Sequence, residues 1–289
     1  DSGRTMRHNP IGFMACELLS LYVFIGFLLR IVLMFAAPED ASFGAGSVLR
    51  LLFVGLFADT GMGILLLSPL LFMYLGLNEW KYRRPAGLVI DGLLLAALVY
   101  VSCFHSIFSE YGGGAAKIAA YVIGWKFVSF TLRFLFPAVR AAWRRVSLYM
   151  VWALYVFFFL FVSVGEFFFW QEFGVRYNFI AVDYLVYTNE VIGNIMESYS
   201  VAPIVASAVV LTVAIVWWRA TRHRLQLCNI YTPRRLALHV GGALVAGLCS
   251  WFVLRGVLAL PSDNQYVAQL EQNGACNFCV AFNENKLEY

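Results

Sequence analysis

Charged side chains are scarce in this sequence. Asp, Glu, Lys and Arg together make up 13% of its 289 residues, whereas apolar residues make up 61%. A soluble domain usually carries about 25% charged residues. The scarcity excludes an ordinary soluble domain. The net charge of +4 comes from short basic stretches beside apolar runs, so it is not the footprint of a nucleic-acid-binding surface either.

Patterns that carry catalysis or bind metals are also missing. His, Cys, Asp and Glu do not cluster at metal-ligand spacing, and there is no convincing Ser-His-Asp or Cys-His order and no glycine-rich phosphate loop. The six cysteines do not form a disulfide framework. Cys276 and Cys279 make a single C-x-x-C, for which a local disulfide or no bond is favoured over zinc. We therefore predict no catalytic residue, metal ligand or cofactor in this chain.

Long apolar runs dominate what is present. In hydrocarbon the backbone must satisfy its own hydrogen bonds, so a run that spans the bilayer is a helix or part of a closed barrel. These runs are too long and too continuously apolar for barrel strands. The sequence therefore predicts an all-α polytopic bundle of seven transmembrane helices, each with the roughly 20 apolar residues that a crossing needs. The runs cover residues 12–35, 48–77, 86–108, 115–136, 146–170, 201–218 and 236–260.

Basic residues lie on alternate connections between these runs. They precede the first run, follow the second and fourth, and separate the sixth from the seventh, while the other connections are mainly acidic. The positive-inside rule then predicts a cytoplasmic N-terminus, residues 1–11, of which 1–5 resemble a vector-derived remnant. Five transmembrane helices follow in 12–170 and two in 201–260. The polar tail, 261–289, is predicted to turn away from the membrane on the extracytoplasmic side.

The connection 171–200 is unlike the others. Its charged residues recur every seventh position from Arg176, and apolar and tyrosine side chains fill much of the rest. This spacing predicts one or two amphipathic helices on the outer membrane face. The charges are either the solvated face of a surface helix or a site for lipid headgroups or another domain, and Arg176 pairs either a lipid phosphate or a nearby carboxylate. The candidate docking residues are Glu172, Arg176, Asn178, Asp183, Tyr184 and Glu190.

Two ionisable residues lie deep inside apolar runs. Asp59 is eleven residues into the second run and Lys126 eleven residues into the fourth, so a seven-helix topology brings them to similar depth. Charges at bilayer depth need partners, and the sequence predicts an intramembrane ion pair between Asp59 and Lys126. Such a pair either fixes helix packing or serves a proton or ion pathway.

A family resemblance rests on two segments. EFFFWQEFGVRYNFIAVDYLVYTNEVIGNIMESY, residues 166–199, closely resembles the segment that joins membrane helices in the lipoteichoic acid synthase / phosphoglycerol transferase family, which is sulfatase-like and related to alkaline phosphatases. NQYVAQLEQNGACNFCVAFNENKLEY, residues 264–289, resembles the linker to that family's extracytoplasmic catalytic domain. The GLFADTG context of Asp59 is the best landmark in the earlier helices.

The resemblance implies a function for the chain as the N-terminal membrane domain of such an enzyme. Family members use a divalent metal, typically Mn²⁺, and a threonine nucleophile to move phosphoglycerol from phosphatidylglycerol to a glycan or glycolipid. Those residues would lie beyond Tyr289, in a catalytic domain that would be this chain's partner in a bacterial cytoplasmic (inner) membrane. The alternative hypothesis is a stand-alone membrane scaffold, or a transporter that uses the Asp59/Lys126 pair.

Overall fold

The described part of the chain is a bundle of helices. A computed structural model describes residues 10–38, 41–103, 113–186, 200–222, 233–260 and 264–284, and these residues contain no strand. Seven helices among them are long and apolar enough to cross a membrane, so the predicted all-α polytopic class is confirmed. The helices are α1 (Pro10–Phe35), α2 (Ala45–Leu66), α3 (Leu70–Gly76), a 3₁₀ turn (Trp80–Tyr82), α4 (Ala86–Cys103), α5 (Gly113–Leu135), α6 (Pro137–Phe173), α7 (Phe179–Val186), α8 (Val201–Arg222), α9 (Pro233–Leu258), α10 (Gln265–Glu271) and α11 (Gly274–Glu284).

The second apolar run is not one uninterrupted helix. It divides into α2 and the short α3, with Pro69 immediately before α3. Proline has no N–H to donate and its ring clashes with the carbonyl of the previous turn, so a continuous helix is interrupted there. The backbone bonds tighten across the break, where Ser68 N–H donates to the Leu65 carbonyl at 3.1 Å.

The α6 helix is much longer than its apolar run. It begins with Pro137 in the first turn and ends where Gly174 adopts the left-handed conformation (φ 66°) and donates to the Trp170 carbonyl at 2.8 Å. Its 37 residues span about 55 Å at 1.5 Å per residue, against about 30 Å of hydrocarbon. The predicted basic connection after the fourth run is therefore helical, because its arginines, at positions 140, 144 and 145, lie in the first three turns of α6.

The order of packing places α1 and α2 at the centre. The α1 helix packs against α2 and α6, while α9 packs on α2 and α8 on α6. The α4 and α5 helices form a pair that joins the bundle through α6. The largest buried cluster lies where α1, α3 and α6 meet, and many large apolar side chains on the outer faces are exposed, as expected of lipid-facing surface. The buried residues of the cluster between α1, α3 and α6 are Met14, Leu18, Leu67, Leu70, Leu148, Trp152, Val156 and Phe159.

The tail does not turn away from the bundle, so that prediction was wrong for residues 264–284. The α10 helix packs against α2 and α1, and α11 packs against α7. Leu270 is fully buried in a cluster with Leu33, Leu51 and Trp170. Asn264 caps α10 by accepting a hydrogen bond from the Tyr266 N–H at 2.9 Å. The tail is polar on average, but its helices also have apolar side chains, and these pack against the bundle.

Candidate functional site

A fully buried ion pair joins α1 to α2. The Arg30 guanidinium contacts the Asp59 carboxylate through two bonds, Nη1 to Oδ2 at 2.7 Å and Nη2 to Oδ1 at 3.0 Å, and neither side chain is exposed. Two parallel bonds of this kind are the strongest form of arginine–carboxylate contact. Asp59 therefore pairs with Arg30, and the predicted pair with Lys126, which is exposed on α5, was wrong.

Glycines make room for both charged side chains. Gly26 lies four residues before Arg30 in GFLLR, and Gly55 lies four before Asp59 in GLFAD, so each helix presents a glycine and a charge on one face. A Cβ at Gly26 would be 2.6 Å from Asp59 Oδ2, and one at Gly55 would be 2.2 Å from Arg30 Cζ. Each charged side chain thus lies against the other helix's glycine, as expected for antiparallel neighbours.

A second buried pair joins the end of α6 to the turn after it. The Arg176 guanidinium contacts the Glu166 carboxylate, and Arg176 is 1% exposed. Burial alone would lower the pKa of Arg176, but the Glu166 carboxylate outweighs burial and the pKa is raised, so the charge is retained. Gly274 provides the space here, because a Cβ at that position would overlap the Glu166 carboxylate.

The turn between α10 and α11 is the common partner of both arginines. Arg30 Nε donates to the Leu270 carbonyl at 2.6 Å, and both Arg30 and Arg176 donate to the Gln272 carbonyl. Asn273 donates to Asp59 Oδ1 at 2.8 Å. We call these side chains with the turn the polar clamp, which consists of Arg30, Asp59, Glu166, Arg176 and residues 270–273.

Further contacts reinforce the clamp. The Asn273 amide donates to the Tyr22 hydroxyl on α1 at 3.1 Å. Glu271, which is buried, pairs with Arg50 of α2, and Arg50 Nε lies 2.7 Å from Glu271 Oε1. A cavity of about 20 Å³ lies beside the clamp, lined in part by Tyr22 and Asn273. It is large enough for one water molecule with several polar partners.

The contacts of the clamp serve a structural role. Its three carboxylates, those of Asp59, Glu166 and Glu271, are each paired with an arginine. Among the described residues, no group of three His, Cys, Asp or Glu side chains could hold a metal ion. Losing one partner of such a pair leaves an uncompensated buried charge, which costs about 3–5 kcal/mol. The clamp therefore fixes the tail to the transmembrane helices.

A larger cavity lies beside the clamp, at the adjoining ends of α1, α6 and α10. It has a volume of about 470 Å³, in the range of small-ligand pockets. Its wall contains three glutamine side chains, Gln171, Gln265 and Gln269, together with Glu172 and Trp170. We call it the outer cavity, because the predicted topology places it on the extracytoplasmic side.

The predicted docking residues divide between these two places. Glu172 lines the outer cavity. Arg176 is buried in the clamp, where it pairs with Glu166, so the hypothesis that it binds a lipid phosphate was wrong. Arg176 also lies in the turn before α7, so the predicted helical row of charges at every seventh residue does not begin there. Asn178 Oδ1 accepts from the Ile180 N–H at 2.9 Å, which caps α7.

The other docking candidates lie on or after α7. Asp183 is half-buried there, and the ring of Tyr184 is exposed and makes an edge contact with Phe173 at 5.9 Å. Glu190 lies outside the described residues.

Three members of the clamp were not predicted as partners from the sequence. Arg30 sits within an apolar run, and the paired G-x-x-x-R and G-x-x-x-D spacings of α1 and α2 are the signal that could have joined it to Asp59. Glu166 is an isolated acid near the end of an apolar run, and its need for a buried cation points to Arg176 ten residues later. Asn273 gives no such signal, because its role depends on the return of the tail.

The C-x-x-C of the tail forms part of α11. Cys276 and Cys279 are both free thiols, one buried and one exposed. Burial, with a smaller contribution from Cys279, raises the pKa of Cys276 to about 11. A thiol with so high a pKa is mostly protonated near neutral pH and is a poor nucleophile.

Comparisons of the chain with protein-family models, curated proteins and solved structures find no match. The resemblance to the lipoteichoic acid synthase / phosphoglycerol transferase family therefore stays a prediction. The clamp and the outer cavity are the features of the molecule from which its function is inferred.

Proposed function

We propose that the chain is the membrane-anchoring and substrate-presenting domain of a sulfatase-like phosphoglycerol transferase that takes its phospho-group from a phospholipid. The observation that carries this proposal is the polar clamp. It fixes residues 264–284 against α1, α2 and α6 through buried charge-assisted bonds. A domain attached to a tail held in this way would keep a constant height and orientation above the membrane.

Such an arrangement has a catalytic benefit. An enzyme domain held at the surface where its lipid substrate is presented works at a high effective substrate concentration. The outer cavity, with its amide-rich wall beside the tail, offers hydrogen-bonding groups for a polyol or glycan headgroup at that surface. The resemblance assigns the threonine nucleophile and the Mn²⁺ ligands to a domain beyond Tyr289.

The proposed placement is a bacterial cytoplasmic membrane with the N-terminus inside and the tail outside. The alternating basic connections support it. Reporter fusions at the ends of successive helices test the orientation. A reporter that is active only outside the cell should work when fused after α9 and fail when fused after α8, and the reverse pattern would contradict the topology.

The function is tested with the complete gene product in membranes. With phosphatidylglycerol labelled in its glycerol headgroup and with Mn²⁺, we expect diacylglycerol release and transfer of label into a glycan or glycolipid. Arg176→Gln should lower this transfer by loosening the tail, whereas Lys126→Gln, a matched charge loss outside the clamp, should leave it unchanged. Absence of diacylglycerol release by the unsubstituted protein would contradict the transferase proposal.

The alternative, a stand-alone scaffold, draws on the same contacts. A tail closed onto its own bundle could simply complete a rigid platform. The two hypotheses differ in the sequence that the gene encodes beyond Tyr289. A gene that continues into a soluble domain with a threonine and clustered Asp, Glu and His supports the transferase, and a gene that stops there favours the scaffold. The transporter hypothesis relied on a pair between Asp59 and Lys126, and it loses that support because Asp59 is paired with Arg30.

A further inference from the structure

Four basic side chains converge at the opposite end of the bundle from the clamp, where α3 leads to α4 and α5 leads to α6. Two of them lie over the ring of Tyr82, with Lys81 Nζ 5.4 Å and Arg140 Cζ 5.0 Å from its centroid. Arg133 stacks on Trp143 with its Cζ 4.7 Å from that ring. We call this set the basic cluster, which comprises Lys81, Arg133, Arg140 and Arg144.

The basic cluster carries a large excess of positive charge. Glu79 is the single carboxylate paired with it in the described part of the chain, and it contacts Arg140 Nε at 3.2 Å and also Arg144. Lys81 and Arg133 donate to backbone carbonyls, those of Gly76 and Ser129. Four cations against one carboxylate leave a net charge of +3.

Two further features reflect the positive potential there. Burial, together with repulsion from Arg133, Arg144 and Lys126, lowers the pKa of Lys81 to about 8. Arg140 lies in the first turn of α6, beside the positive end of the helix dipole, where anions are favoured and cations are not.

Arg144 is the least satisfied member. It is 4% exposed, yet its Nε and Nη2 atoms have no hydrogen-bond partner among the described residues. A buried guanidinium with unmade hydrogen bonds is costly, and each such group in a folded protein calls for an explanation. A tetrahedral anion offers several acceptor oxygens and suits arginine's planar donor geometry.

The surroundings favour a membrane lipid as the source of such an anion. Leu135, Phe136 and Val139, at the junction of α5 and α6, are exposed apolar residues that flank the charges. A free inorganic anion gains nothing from apolar residues beside the charges. A lipid carries acyl chains next to its phosphate, so it can contact both the charges and the apolar residues. Basic pockets between transmembrane helices on the cytoplasmic side of a membrane bind anionic lipid headgroups.

We propose that the basic cluster is a binding site for the phosphate headgroup of an anionic membrane lipid. Arg144, Arg140 and Lys81 would hold the phosphate oxygens, and the exposed apolar residues at the junction of α5 and α6 would contact the acyl chains. The site does not rest on the function proposed above, since it lies at the other end of the bundle from the tail.

The test uses the full chain purified in a neutral detergent. Binding of short-chain phosphatidic acid, short-chain phosphatidylcholine and inorganic phosphate is compared by native mass spectrometry and by the shift in thermal unfolding temperature. We expect saturable binding and stabilisation with phosphatidic acid alone. Arg144→Gln should weaken this binding about tenfold, the equivalent of one charge-assisted hydrogen bond.

Arg145→Gln is the matched control, because Arg145 is the next residue on α6, is exposed and has the same charge. It should bind phosphatidic acid within about twofold of the unsubstituted chain, since scattered surface charges act weakly. Lys81→Gln gives a second variant should Arg144→Gln not fold, and Lys81→Arg should restore binding. Equal weakening by Arg144→Gln and Arg145→Gln would overturn the proposal, as would equal stabilisation by inorganic phosphate or phosphatidylcholine.

Discussion

Replacement of Gly55 by alanine tests how the clamp is built. The new methyl group would lie 2.2 Å from Arg30 Cζ, more than 1 Å inside the 3.4 Å at which ordinary contact begins. The guanidinium cannot readily move aside, because Asp59 and the Leu270 carbonyl hold it from other directions. Either α1 and α2 separate, or the ion pair breaks.

The loss of stability depends on which of these two responses occurs. Overpacking a well-packed core costs about 1–3 kcal/mol. Breaking a buried ion pair costs about 3–5 kcal/mol. Alanine favours a helix over glycine by up to about 1 kcal/mol, which offsets part of either cost. We therefore expect Gly55→Ala to lower the free energy of unfolding by up to about 2 kcal/mol if the helices separate, and by about 2–4 kcal/mol if the ion pair breaks.

Gly46→Ala is the control on the same helix, because a Cβ at Gly46 meets nothing within 4 Å. It should leave stability unchanged or raise it slightly. The assay is unfolding of the purified chain in mixed micelles, followed by circular dichroism as the denaturing detergent is increased. If Gly55→Ala proves as stable as Gly46→Ala, the close packing of Arg30 on Gly55 is refuted.

Two further predictions concern the tail. Arg176→Ala should make residues 264–284 more sensitive to limited proteolysis than Lys126→Ala does, because it leaves Glu166 buried without its cation and removes a donor to the Gln272 carbonyl; equal sensitivity would contradict the clamp. Cys276 should react with a small alkylating reagent more slowly than Cys279 at pH 8, since its thiolate forms only near pH 11, and its rate should rise as the pH is raised towards that value; a rate for Cys276 at pH 8 equal to that of an unfolded peptide would contradict this.

The fold class could be predicted from the sequence because it depends on local properties. Each spanning helix must satisfy its own backbone hydrogen bonds and bury about 20 apolar residues in lipid, and both requirements are visible within one segment. The spans of α1, α4 and α5 accordingly begin close to the predicted runs. The exceptions are local as well, since Pro69 divides the second run and Pro137 starts α6 before its run begins.

The partners of the buried charges could not be predicted in the same way. Depth alone made Lys126 a candidate for Asp59, but the choice between Lys126 and Arg30 depends on which helices are neighbours. Only the tertiary structure shows that α1 packs on α2 with Gly26 and Gly55 facing the two charges.

The tail shows the same division most clearly. Its composition is polar, and from composition alone it was expected to leave the membrane. Asn273 and the carbonyls of Leu270 and Gln272 acquire their role only where Arg30 and Arg176 meet them. The sequence by itself determined that charges buried among apolar helices must have partners, because an unpaired charge there is too costly. The tertiary structure decided which partners they have, because these depend on which segments pack together; the contacts Arg30–Leu270 and Asp59–Asn273 join residues more than 200 positions apart.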